Sequence, residues 1–219
     1  MKVTILICTY GSEEWEKRGE QAYQDTLSQG AFATVAVHDT GASLAQVRNG
    51  AGYGAVGSDW LCFLDADDRL APGYLETMRR EWLLLAHGDG PAHPGFPLPP
   101  LLLVSALKLG DAAPAIPAWQ SSIIDTNCAV IGTLVPRSLF VEVGGFREFE
   151  VYEDWELWLR CIRAGAMLVP VPDAVYLAKQ RTDGRNVRSP EESARVYQQV
   201  RDENADVPAS RWADAKVKT

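Results

Sequence analysis

The chain has 219 residues and a mass of 24.0 kDa, and its 21 Lys and Arg against 29 Asp and Glu leave a formal charge of −8 and a pI near 4.9. A surface of that sign repels phosphate on average, which excludes a generic polyanion binder, because counterion release needs a basic face. With 47% hydrophobic and 23% charged residues the chain can bury one full core, so wholesale disorder is excluded too. No apolar run approaches the roughly 20 residues of a spanning helix, and no secretory leader is visible. A cytoplasmic enzyme without stable membrane insertion is the expectation.

Residues 3–8 form a short β-rich run ending in Thr-Tyr-Gly-Ser, and the polar stretch 13–29 reads as a surface helix. Residues 33–39 repeat the strand pattern, and after a turn 43–57 reads as a helix of small residues. Residues 59–68, Asp-Trp-Leu-Cys-Phe-Leu-Asp-Ala-Asp-Asp, form a third strand that breaks into carboxylates. Pro72 then opens a helix, where a proline in the first turn is tolerated. This alternation predicts an α/β layered domain whose parallel strands present ligands at their carboxyl ends.

Prolines crowd residues 87–117, which read as loop around a buried strand at 101–106. Residues 127–137 give a further strand, 138–146 a short helix, and 152–164 a strongly patterned helix. Two closing strands, 166–172 and 174–179, follow; beyond Arg181 the chain turns polar, with a helix from about Pro190 and a frayed tail. Cys8, Cys62, Cys128 and Cys161 sit in apolar stretches without a CxxC pair, as reduced core thiols do. Gly52, Gly54 and Gly57 spell GxGxxG but precede a strand instead of following one, so close helix packing explains them better than a dinucleotide site.

Two segments carry chemistry. Asp65, Asp67 and Asp68 leave a strand together, and three clustered carboxylates repel unless a cation or hydrogen-bond donors neutralise them. Asp-x-Asp at a strand end suits Mg²⁺ or Mn²⁺ shared with a diphosphate, while an acidic turn ahead of a helix is the plainer reading. Glu153, Asp154 and Glu156 open a helix beside Trp155 and Trp158. Acidic residues there complement the helix dipole, and a carboxylate at a helix mouth flanked by aromatics is also what a general base for a hydroxyl requires.

Four fragments in order, Ile-Leu-Ile-Cys-Thr-Tyr at 5–10, Ala-Val-His-Asp-Thr-Gly at 36–41, the Arg48-Asn49 helix running into Leu-Asp-Ala-Asp-Asp at 64–68, and Gly-Gly-Phe through Glu-Asp at 144–154, resemble the family 2 glycosyltransferases of the GT-A fold. The resemblance covers about residues 1–180. It implies a single GT-A domain with Rossmann-like α/β/α layers around a mostly parallel central sheet and a C-terminal helical tail. The nucleotide-binding part would fall in about 1–110, the acceptor part in about 111–180, and a loop, helix and tail in 181–219.

The same resemblance implies roles. Thr9, Tyr10 and Glu13 would border the nucleotide, Asp39 would accept from its base, and Arg48 would reach toward phosphate. Asp65 would touch the ribose or the metal, Asp67 would ligate Mn²⁺ or Mg²⁺, and Asp154 would deprotonate the acceptor with inversion at the sugar. Glu153, Trp155, Lys179 and Arg181 fall on the acceptor or diphosphate side. The donor would be a nucleoside-diphosphate sugar, a UDP-sugar first. A His near the last strand is usual in the family, and the region 174–188 contains none, so Asp183, Asn186, water, or the charges of Lys179 and Arg181 would take its place.

A saccharide or other soluble hydroxyl compound is the favoured acceptor. A hydroxylated DNA base, met by Arg181, Arg185 and Arg188, is the alternative within the same chemistry. A non-catalytic module that binds nucleotide or glycan is the alternative outside it. The sugar-phosphate nucleotidyltransferases share the architecture, but their Gly-rich, Arg-containing loop after the first strand has no match in Thr-Tyr-Gly-Ser-Glu-Glu-Trp-Glu-Lys-Arg-Gly.

Overall fold

The strand β1 (Val3–Tyr10) is buried from Val3 through Thr9, the continuous apolar run expected of a parallel strand covered on both faces. It pairs in parallel with β2 (Ala33–Asp39) on one side and β3 (Trp60–Leu64) on the other. In this computed structural model, which describes residues 1–87, 99–117, 122–179 and 189–208, an antiparallel β6 (Val135–Pro136) completes a sheet of order β2-β1-β3-β6. A second sheet, β4-β7-β5, joins β7 (Met167–Ala178) in parallel to β5 (Leu101–Leu109) and antiparallel to β4 (Arg69–Leu70). Leu134, just before β6, exchanges both backbone hydrogen bonds with Leu103 of β5 at 3.0 and 3.1 Å. The two sheets therefore meet edge to edge.

Successive β1 side chains point to opposite faces. Ile7 and Thr9 face α1 (Glu13–Thr26), where a Cβ at Gly19 would lie 3.3 Å from the Thr9 methyl. Cys8 faces α2 (Leu44–Gly54), close enough for Arg48 to act on its thiol. Helices thus cover both faces of β1, the layering expected from the sequence. The helix α3 (Tyr74–His87) packs on β7, while α4 (Arg137–Glu142), α5 (Glu153–Arg163) and α6 (Pro190–Glu203) complete the six helices of the described residues. None of the described helices is long and apolar enough to cross a membrane.

Two local expectations are corrected and one element is new. Most of 127–137 is not strand: Cys128, Ala129, Ile131 and Leu134 are buried because this segment fills the core as a turn, closed by a hydrogen bond from Thr133 N to Val130 O at 2.9 Å. The two closing strands are one, since Ser105 pairs with Val171 and Ala106 with Val175, leaving Pro172 in a bulge where its missing N–H is harmless. The two-residue β4 has no periodicity to read and was not expected.

Other expectations hold. All four cysteines are free and buried, and burial pushes each thiol up to about 12, so they stay protonated. The close-packing reading of the three glycines holds for Gly52, where a Cβ would meet the Phe140 ring at 2.5 Å, and is corrected for the others: Gly57 makes a turn at φ +91° and Gly54 has open space. The C-terminal helix α6 starts in a capping box formed by Ser189 and Glu192 with Pro190 in its first turn. Its Tyr197 stacks on Trp155 with centroids 4.9 Å apart, and Arg201 donates to Asp125 at 2.8 Å, so the tail helix closes the back of α5.

Candidate active site

The carboxyl ends of β1, β2 and β3 form one rim. Tyr10 lies opposite Asp39, and Ile7 opposite Leu64, so Asp65 leaves β3 on the same edge as the exposed Tyr10 ring. One oxygen of Asp39 accepts from the N–H groups of Gly41 and Ala42 at 2.7 and 3.0 Å, a turn that delivers the chain to Ser43. Ser43 caps α2 in a box with Gln46 and so fixes where the helix carrying Arg48 begins. Tyr10, Ser43, Leu44, Glu148, Phe149 and Glu153 are among the residues around a cavity of about 320 Å³ on this rim. Glu13 is exposed in the first turn of α1. Thr9, next to Tyr10, points to the α1 face, and its hydroxyl pairs with His38 Nδ1 at 3.0 Å beside a separate cavity of about 420 Å³.

Arg48 stands on α2. It was expected at phosphate, but its side chain is only 2% exposed and already holds two carboxylates. Nη1 donates to Glu153 Oε1 at 2.6 Å, and Nη2 donates to Asp65 Oδ1 at 2.5 Å. Burial by itself pulls a guanidinium down, and Asp65 and Glu153 more than offset that, so its proton is held more firmly than usual. The ring of Phe146, 5.1 Å from the guanidinium, covers it. One residue therefore links the end of β3 to the mouth of α5.

That mouth is built by Tyr152, a non-glycine residue at φ 64°, which turns the chain into α5 without a side-chain cap. Asp154 accepts from Trp155 N at 2.7 Å and from Asn127 Nδ2 at 3.3 Å. Burial, and after it the neighbouring Glu153, push its carboxyl up to about 7, while the Trp155 N–H and Arg48 pull the other way. Trp155, expected on the acceptor or diphosphate side, is fully buried, and its indole N–H donates to Ile123 O at 2.6 Å. Trp158 is buried likewise, donating to Ala129 O at 3.0 Å.

The three aspartates after β3 divide their work. Asp68 is buried, accepts from Tyr176 OH and from Lys179 N, both at 2.8 Å, and fastens the end of β7 to this loop. Its burial pushes it up to about 7. Asp65 and Asp67 remain on the partly exposed side. Among the described residues no three His, Cys, Asp or Glu side chains are arranged to hold a metal. Mg²⁺-type ions need only one or two carboxylates when substrate phosphates complete the shell, so the Asp65 and Asp67 pair is chemically suitable for that cation. Lys179 is exposed; Arg181, Arg185 and Arg188, with Asp183 and Asn186, lie outside the described residues.

Sequence reasoning missed Asn127, Tyr176 and Arg160, the buried partner of Glu156. Arg160 donates to Glu156 at 2.7 Å and to the carbonyls of Val143 and Gly145 at 2.5 and 2.6 Å, locking the Gly144-Gly145 turn behind the site. The i,i+4 spacing of this pair was readable as a surface ion pair; its burial was not.

No family model and no curated protein matches the sequence. Solved structures do. TarS of S. aureus has a TM-score of 0.58 at 16% identity over 91% of this chain and 39% of its own. The mannosyltransferase PcManGT from Pyrobaculum calidifontis, in complex with GDP-Man and Mn²⁺, has a TM-score of 0.55 at 14% identity over 90% of this chain and 68% of its own. GalNAc-T7 with UDP, GalNAc and Mn²⁺ has 0.53 at 13% identity over 90% of this chain and 48% of its own. The chain thus has a GT-A-like glycosyltransferase fold, and it spans 39% of the length of TarS.

Proposed function

We propose that the protein is an inverting glycosyltransferase, of the family 2 type that the sequence resembles, using a nucleoside-diphosphate sugar and a divalent cation. The observation that carries this reading is Asp154: a carboxyl pushed up to about 7, at the mouth of α5, tied through Glu153 and Arg48 to the strand-end Asp65. A general base works best with a pKa near the operating pH. Asp154 takes the proton of the acceptor hydroxyl as its oxygen bonds the anomeric carbon. The bond from that carbon to the diphosphate oxygen breaks, and its electron pair leaves with the nucleotide.

Asp67, with Asp65, would hold Mn²⁺ or Mg²⁺, which neutralises the departing diphosphate. Tyr10 offers a face for the base and Asp39 an acceptor at its edge; Lys179, beside the loop it is fastened to, adds positive charge on the diphosphate side. PcManGT with GDP-Man and GalNAc-T7 with UDP support a nucleotide donor, with UDP-sugars the first choice. A saccharide-type hydroxyl compound is the acceptor favoured by an acidic protein, since a net charge of −8 repels DNA. The test is release of nucleoside diphosphate from a panel of UDP- and GDP-sugars with Mn²⁺, which Asp154→Asn should abolish while nucleotide binding persists. Undiminished release by Asp154→Asn would refute the assignment.

A further inference from the structure

Arg48 bridges two sides of the site, reaching Asp65 at the end of β3 with one nitrogen and Glu153 at the start of α5 with the other. Both of its partners are fixed from elsewhere. Asp65 follows a fully buried strand and its backbone N–H donates to Tyr176 OH at 3.3 Å; Glu153 is 5% exposed and follows the left-handed Tyr152. A planar guanidinium can span two carboxylates in a set geometry, which a lysine ammonium on a flexible stem cannot.

We propose that Arg48 and Glu153 act as positioning residues, a charged strut that holds the base-bearing helix at a fixed distance from the donor-side strand end and sets the electrostatic environment of Asp154. The inference rests on Asp154 being the base. The charged groups facing Asp154 are Glu153 on its own helix, Arg48 from α2 and Asp65 from the end of β3; Asn127, from the segment before β6, faces it as a neutral donor. Glu153 opposes ionisation of Asp154 and Arg48 favours it, so the two partners of the strut act on the base with opposite sign. A phosphate-binding Arg48 would have to leave both carboxylates, abandoning Glu153 in a buried position, and abandoning one partner of a buried pair is strongly unfavourable.

Glu153→Gln keeps the shape and a hydrogen-bond acceptor for Arg48 while removing the charge. It should move the acidic limb of the pH profile for sugar-nucleotide turnover down by about one unit, with Mn²⁺-dependent binding of UDP or GDP unchanged. Arg48→Lys should lower kcat more than tenfold with nucleotide affinity within about twofold, since the ground-state nucleotide does not use the strut. An activity-independent arm compares the pH dependence of the melting-temperature difference between Asp154→Asn and its parent, in the wild-type and Glu153→Gln backgrounds. The midpoint should fall in the second background. An unmoved limb and midpoint in Glu153→Gln, or a tenfold loss of nucleotide affinity with unchanged kcat in Arg48→Lys, would overturn the strut. Full turnover by Asp154→Asn would overturn the base assignment instead, and the melting arm still decides whether Glu153 sets the environment of Asp154.

Discussion

The hydroxyl of Tyr176 on β7 donates to the buried carboxylate of Asp68 at 2.8 Å, across 108 residues of sequence. That bond, with the one from Lys179 N, fastens the third aspartate of the acidic loop to the end of β7. Tyr176→Phe leaves a buried carboxylate with one donor fewer and should cost about 1–3 kcal/mol of stability, read by denaturant unfolding. Because β7 runs to Lys179 beside the same loop, the variant should also weaken nucleotide binding, though less than loss of Asp67 does.

Asp67→Ala should leave the melting temperature of the apoprotein within about 2 °C of wild type, because it removes a partly exposed carboxylate from a loop. The same change should abolish the extra stabilisation by UDP or GDP seen with Mn²⁺. Thermal shifts with and without the cation measure both.

Asp154 gives a pH prediction with a definite sign. Its folded carboxyl is raised to about 7 against an unfolded value near 3.8. Between those values the folded state holds a proton that the unfolded chain has released, so this residue's contribution to stability falls as pH rises and levels off above about 7. Asp154→Asn removes that loss. The variant should gain on wild type between pH 4 and 7, reaching about 1 kcal/mol more stable at pH 8, a figure kept small because the side chain is partly exposed to solvent. Equilibrium unfolding across pH checks it.

Behind the site, Arg160→Met strips Glu156 of its principal partner while that carboxylate remains fully buried. Arg147, at 3.1 Å and half exposed, would remain beside it. A loss of about 3–5 kcal/mol is expected. Gly52→Ala should cost about 1–3 kcal/mol by driving a methyl into the Phe140 ring, whereas Gly54→Ala, with open space around it, should be neutral or stabilising. Melting temperatures of the two glycine variants separate packing from nucleotide binding.

The layered α/β architecture was legible because β1 and β3 are continuous buried runs separated by polar and small-residue helical stretches, the second of them opened by a Ser43–Gln46 capping box. Asp154 and the Asp65 to Asp68 loop were legible as acidic clusters at element ends. The ties between them were not, since Arg48 to Glu153 spans 105 residues and Tyr176 to Asp68 spans 108, and nothing in local sequence encodes such pairings. Trp155 shows the same limit from the other side. An indole on a helix beside carboxylates has one composition whether it faces a ligand or the core, and its bond to Ile123 O decides for the core.

The most direct test is nucleotide release from UDP- and GDP-sugars by wild type and Asp154→Asn, with nucleotide binding measured on both in the presence of Mn²⁺. A nucleotide-sugar transferase with Asp154 as base gives cation-dependent release by wild type alone and comparable binding by both. Equal release by the two proteins, or no binding of either nucleotide by the wild type, contradicts it.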